Sequence, residues 1–228
     1  VGDMPWHRAG SCFTDDDLAF IELLFENHYG ITSEKKILTA LRVVANSNGY
    51  HPVREYLNHL DWDGTPRVRF ALHHFLGAEI SDLNEELLRL FMLGAVTRIF
   101  QPGHKFDMML CLTGRQGAGK SSFFRFLAGN DEWFSDDLRK LDDENVYRRM
   151  MGHWIIEMSE MMATGNAKNV EEIKSFLSRQ KDTCKVPYDN FPADRPRQCA
   201  FAGTSNKLDF LPHDRQQESA FPANPHQP

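Results

Sequence analysis

Phe106-Asp-Met-Met-Leu-Cys-Leu-Thr-Gly-Arg-Gln-Gly-Ala-Gly-Lys-Ser-Ser122 reads as an apolar run, a glycine-rich turn and the opening of a helix. Residues Gly114 to Ser121 spell G-x-x-x-x-G-K-[ST], a loop that wraps a phosphate chain when it joins a strand to a helix. Gly114, Gly117 and Gly119 let the backbone turn tightly and aim several N–H groups at one anion. The backbone from Gly114 through Ser122, with Arg115, Gln116 and Ala118 between, is therefore the candidate phosphate cradle. Lys120 offers a mobile positive charge to the β- and γ-phosphates. The Ser121 hydroxyl suits Mg²⁺, and the helix N-terminus adds its own partial charge. The stretch implies a site for a nucleoside triphosphate, expected to be ATP, with Mg²⁺.

Composition bounds what surrounds that site. A chain of 228 residues exceeds one typical domain and suits a nucleotide core with a helical appendage. Hydrophobic content of 41% with 11% aromatics suffices for a packed core and excludes a disordered chain. A formal charge of −6 argues against a general polyanion-binding surface, so nucleic acid would need a local basic patch. Cys12, Cys111, Cys184 and Cys199 form no C-x-x-C pair, which points to a reducing, cytoplasmic setting. No apolar run reaches the length of a membrane span, and no membrane partner is expected.

Upstream of the glycine turn, residues 14–100 read as helices. Thr14 before three aspartates is an N-cap with acidic residues set against the helix dipole, and Leu18, Ile21, Leu24 and Phe25 follow at helical spacing until Gly30. Ser33 to Ser47, Pro52 to Leu60 and a short helix ending near Gly77 come next. The longest runs from Ser81 to Phe100, with Leu83, Leu87, Leu90, Phe91, Gly94 and Ile99 at core-like spacing. His51, His59, His73 and His74 lack the spacing of a zinc site. Arg67, Arg69, Arg89 and Arg98 could meet nucleic acid or a neighbouring subunit, but arginines isolated on helices read first as a solvated face.

Downstream, Trp133-Phe-Ser135 suits a short strand and Asn145 to Met151 a helix. His153-Trp-Ile-Ile-Glu-Met-Ser-Glu160 is an apolar strand that gains two carboxylates at its end. In enzymes that hydrolyse nucleoside triphosphates, such a strand brings one acid beside Mg²⁺ and a base beside the attacking water. Glu157 is assigned to the metal side and Glu160 to the base, an order that the sequence leaves open to exchange. Gln198-Cys-Ala-Phe-Ala-Gly-Thr-Ser-Asn206 is a third apolar strand, ending in an amide. Asn206 there could hydrogen-bond both the γ-phosphate and the water. Lys120, Glu157, Glu160 and Asn206 are thus the candidate catalytic set.

Gly114 to Ser121, Glu157 to Glu160 and Asn206, in this order, resemble the A, B and C motifs of superfamily 3 helicases. His51-Pro-Val-Arg-Glu-Tyr-Leu, Trp62-Asp-Gly-Thr-Pro-Arg67, Phe176-Leu-Ser-Arg179 and Pro196-Arg-Gln-Cys resemble the virulence-associated protein E family of phages and genomic islands. The resemblance covers roughly residues 50–212. It implies an AAA+-type ATPase that forms a homo-oligomeric ring, meets single-stranded or forked DNA and works with other replication proteins of a mobile element. Superfamily 3 helicases carry a DNA-contacting hairpin between the second and third motifs. Lys174, Arg179, Lys181 and Lys185, with Tyr188 and Phe191 nearby, occupy that interval as DNA candidates.

One departure matters. The family is expected to continue beyond Leu211 with Asn-Arg-Arg-Phe, whose arginine reaches a neighbour's nucleotide. Here His213-Asp-Arg215 runs into a Pro-, Gln- and Asn-rich segment. An arginine finger is worth roughly 10³ to 10⁵ in turnover. The expected fold is α/β: a three-layer P-loop NTPase domain with a parallel sheet over residues 103–212, a helical N-terminal domain over 1–102 and an irregular tail over 213–228. The leading function is ATP hydrolysis coupled to single-stranded DNA translocation. The alternative is a nucleotide-dependent DNA- or partner-binding module without productive hydrolysis.

Overall fold

Short strands of two to six residues, buried or half-buried on both faces, decide the architecture. The computed structural model describes residues 6, 13–138, 141, 146–159, 167–184 and 192–206. Its main sheet has four parallel strands: β1 (Leu110–Thr113), β2 (Phe134–Ser135), β3 (Ile155–Glu157) and, late in the chain, β6 (Ala200–Ser205), in spatial order β1-β6-β3-β2. A separate antiparallel pair, β4 (Lys181–Cys184) and β5 (Ala193–Pro196), lies between β3 and β6 in sequence.

Alternation along the strands sends Leu110, Leu112, Ile155, Ala200 and Ala202 into one core and Cys111, Ile156 and Phe201 into another. The first core is covered by α3 (Pro52–Asn58), α4 (Val68–Leu76), α5 (Asp82–Phe100) and α6 (Lys120–Leu127). The second is covered by α7 (Val146–Met150) and α8 (Ala167–Leu177). Helices on both faces of a parallel sheet make an α/β architecture of three layers.

The chain divides into two compact units, residues 1–51 and 52–228. This differs from a helical domain ending at residue 102. Val53, Leu72, Leu88, Phe91, Ala95 and Ile99 belong to the same core as Leu110, Phe123 and Ile155, so α3, α4 and α5 are part of the sheet domain. The first unit holds α1 (Asp15–Tyr29) and α2 (Glu34–Ser47). Thr14 and Asp17 form a reciprocal capping box on α1, and Gly30 ends it in the left-handed conformation.

Helix α5 departs in detail from its expected face. Leu88, Phe91, Ala95 and Ile99 carry the core contact, whereas Leu83 is exposed. Gly94 is set by close approach: a Cβ there would lie 2.2 Å from the Phe106 ring. Phe106 thus packs on the helix, and the strand begins only at Leu110.

Of the arginines expected on a solvated face, Arg67 pairs with Asp63, Arg69 with Glu85 and Arg89 with Glu86 at the surface. Arg98 is different, being fully buried. Its guanidinium donates to the carbonyls of His104 (3.1 Å), Cys199 (2.8 Å) and Phe106 (2.9 Å), tying α5 to the segment before β1 and to the start of β6.

Candidate nucleotide site

The loop between β1 and α6 turns through Gly117 and Gly119, whose φ angles of 81° and 80° favour glycine over any side-chain-bearing residue. Phe123 and Phe124 anchor the helix that follows, buried on the sheet, while Gln116 to Gly119 remain exposed. The loop is therefore presented to solvent from a fixed base, and the first N–H groups of α6 face outward without intrahelical acceptors.

Strand order brings the other candidates to this loop. Because β6 lies between β1 and β3, its end adjoins both the loop and the end of β3. Gly114 N donates to Ser205 O at 3.2 Å. Lys120 Nζ donates to the carbonyls of Gly114 and Arg115, each at 2.9 Å, and to Asn206 Oδ1 at 3.1 Å. Burial pulls the Lys120 ammonium below the usual lysine range, and the Glu157 carboxylate opposes that shift. A partly desolvated cation at the mouth of an N–H-rich loop is well placed to meet an anion.

Glu157 ends β3 and is 1% exposed. Its Oε1 accepts hydrogen bonds from Ser121 Oγ at 2.8 Å and from Thr204 Oγ1, while its buried Oε2 has no partner. A buried carboxylate oxygen left open beside a hydroxyl is a donor set that fits a hard divalent cation such as Mg²⁺. Glu157 and Ser121 are the residues that would hold it. Thr204 was not singled out from the sequence, although period-two alternation back from Asn206 places it on the same face as Ala200 and Ala202. Glu160, the candidate base, lies outside the described residues.

The DNA candidates fall elsewhere. Lys174 is exposed on α8 and pairs with Glu171 at 3.0 Å. Arg179 follows α8, its guanidinium 5.5 Å from the centre of the Phe176 ring. Lys181 begins β4 and pairs across the ribbon with Asp194. Lys185, Tyr188 and Phe191 lie outside the described residues. The ribbon is fastened at its base by Arg197, which is buried, pairs with Asp182 at 2.6 Å and sits 4.3 Å from the Phe176 ring centre.

Among the described residues no helix is long and apolar enough to cross a membrane. Among solved structures, the A form of the apo NrS-1 C-terminal region is similar at 14% identity with a TM-score of 0.45, over 64% of this chain and 34% of that one. The apo structure of NrS-1 C-terminal region 305–718 is similar at 15% identity with a TM-score of 0.44, over 67% and 36%. The chain spans about a third of the length of these structures. No curated protein matches it. The sequence model of the virulence-associated protein E-like domain matches residues 57–221. With most of its length matched, the chain belongs to the virulence-associated protein E-like domain family.

Proposed function

We propose that this chain binds ATP with Mg²⁺ and hydrolyses it, coupling turnover to movement along single-stranded DNA during replication of a mobile genetic element. The observation that carries the proposal is the convergence of Lys120, Ser121 and Glu157 beneath the glycine loop, with Glu157 Oε2 buried and unpartnered. The loop is then a P-loop, its backbone N–H groups and Lys120 holding the phosphates. Mg²⁺, when bound, neutralises charge on the β- and γ-oxygens. Ser121 and Glu157 would hold the metal, Thr204 fixes the Glu157 carboxylate, Glu160 would orient the attacking water, and Asn206, bonded to Lys120, would meet the γ-phosphate. The end of α8 and the β4–β5 ribbon occupy the interval in which related rings contact DNA, with Lys174 on α8, Arg179 after it, Lys181 on β4 and, next to β4 in sequence, Lys185 as the basic groups. A homo-oligomeric ring would multiply such contacts by its subunit number.

A nucleotide-dependent binding module without turnover is the second reading. ATP turnover measured with and without single-stranded DNA, alongside the mass of the assembly, separates the two. Turnover stimulated by DNA and lost in Glu160→Gln supports the first reading. Binding of ATP without turnover selects the second, and failure to bind ATP overturns both.

A further inference from the structure

Helix α4 meets the glycine loop at its C-terminal end. A Cβ on Gly119 would lie 3.9 Å from Leu76 Cδ2, so the last residue of α4 touches the last glycine of the loop. One residue earlier, Phe75 packs its ring against Phe123 of α6 at 6.1 Å between centroids, yet remains 62% exposed. His74 meets the Phe75 ring edge-on at 4.8 Å. Gly77 then ends the helix in the left-handed conformation, and the His73 ring bonds the Ala78 carbonyl at 2.8 Å, which fixes the chain as it leaves.

The relation to the loop is what gives this aromatic a use. Phe123 lies one turn beyond Gly119, about 6 Å along the axis of α6. Apolar contact thus begins at the phosphate cradle with Leu76 and continues to the buried Phe123, and Phe75 is the exposed outer edge of it. A ring held on one side by Phe123 and open on the other costs little further entropy to stack against a planar partner. A nucleoside triphosphate anchored by its phosphates at Gly114 to Ser122 must place its ribose and base somewhere beside that helix, and among the described residues Phe75 offers an exposed aromatic face next to the loop.

We propose that Phe75, backed by Phe123 and flanked by Leu76, is the stacking surface for the base of the bound nucleotide. The inference rests on the phosphate-site reading, and it assigns α4 a role in nucleotide recognition. A stacking wall reads the flat face of a base and not its edge, so it favours nucleotides over inorganic phosphate chains without choosing strongly among bases.

The test compares ATP with inorganic tripolyphosphate, both with Mg²⁺, by calorimetry on the wild-type chain, Phe75→Ala, Phe75→Trp and Lys120→Ala. Phe75→Ala should weaken ATP binding roughly tenfold, the size of a lost base–aromatic stack, and leave tripolyphosphate binding unchanged. Phe75→Trp should retain ATP affinity. Lys120→Ala should weaken both ligands. Equal ATP affinity in Phe75→Ala, with Lys120→Ala still impaired, would overturn the stacking surface while sparing the phosphate site. Equal loss of both ligands in Phe75→Ala would show that Phe75 supports the loop and does not contact the base. Undiminished binding of both ligands by Lys120→Ala would overturn the phosphate site and this inference with it.

Discussion

Thr204 Oγ1, from β6, donates a hydrogen bond to the same Glu157 oxygen that accepts from Ser121 Oγ, so two hydroxyls from different elements hold one carboxylate and leave its other oxygen open. Outer partners of this kind typically change metal affinity by about 10- to 100-fold. Thr204→Val keeps the shape and removes the donor. It should raise the Mg²⁺ concentration needed for ATP binding by roughly tenfold, while Thr204→Ser stays near wild type. A Mg²⁺ titration of ATP binding checks this, and coincident curves for valine and threonine would remove Thr204 from the site.

Arg98, itself fully buried, supplies donors to three carbonyls. Arg98→Met fills much of the volume but leaves His104, Phe106 and Cys199 carbonyls without those donors. Each lost partner costs about 1–3 kcal/mol, so a total loss of roughly 3 kcal/mol or more is expected in urea denaturation. Arg98→Lys should fall between, since an ammonium cannot reach all three as a planar fork does. A methionine variant as stable as wild type would mean that the buried charge costs as much as its bonds return.

The ribbon makes a separate electrostatic prediction. Replacing both Lys181 and Lys185 by Ala should lower the salt slope of single-stranded DNA binding by about 1 to 1.4 in total and leave ATP affinity intact. Asp194 neutralises Lys181 in the free chain, so Asp194→Asn should tighten DNA binding at low salt. Affinities measured over a salt series decide the matter. Superimposable curves for the double mutant would place the DNA surface elsewhere.

Two thiols tie stability to alkaline pH. Burial pushes Cys111 up to about 12 and Cys199 up to about 11, from an ordinary value of 9.0. The folded chain therefore keeps both protons where the unfolded chain releases them. Their contribution is complete below pH 9.0 and declines as pH rises from there towards the folded values. The loss is at most about 1.4 kcal/mol per thiol per pH unit. Urea midpoints between neutral and alkaline pH should fall accordingly, and Cys199→Ala should flatten part of the decline. A decline of the same steepness in that variant would assign it to other groups.

What the linear sequence determined is local in its physics. The positive-φ turn at Gly117 and Gly119, the strand before it and the helix after it were legible because glycine placement and apolar periodicity act within a few residues. Glu157 and Asn206 were recognisable as polar ends of apolar strands for the same reason. The tertiary structure alone decided which strands are neighbours. Placing β6 between β1 and β3 sets Asn206 against Lys120 and Thr204 against Glu157, contacts spanning 86 and 47 positions. It also drew α3, α4 and α5 into the sheet's core and buried Arg98 against a carbonyl 101 residues away. Periodicity shows that a helix has an apolar face. Which surface covers that face depends on the free energy of packing elements far apart in the chain, and no local pattern encodes it.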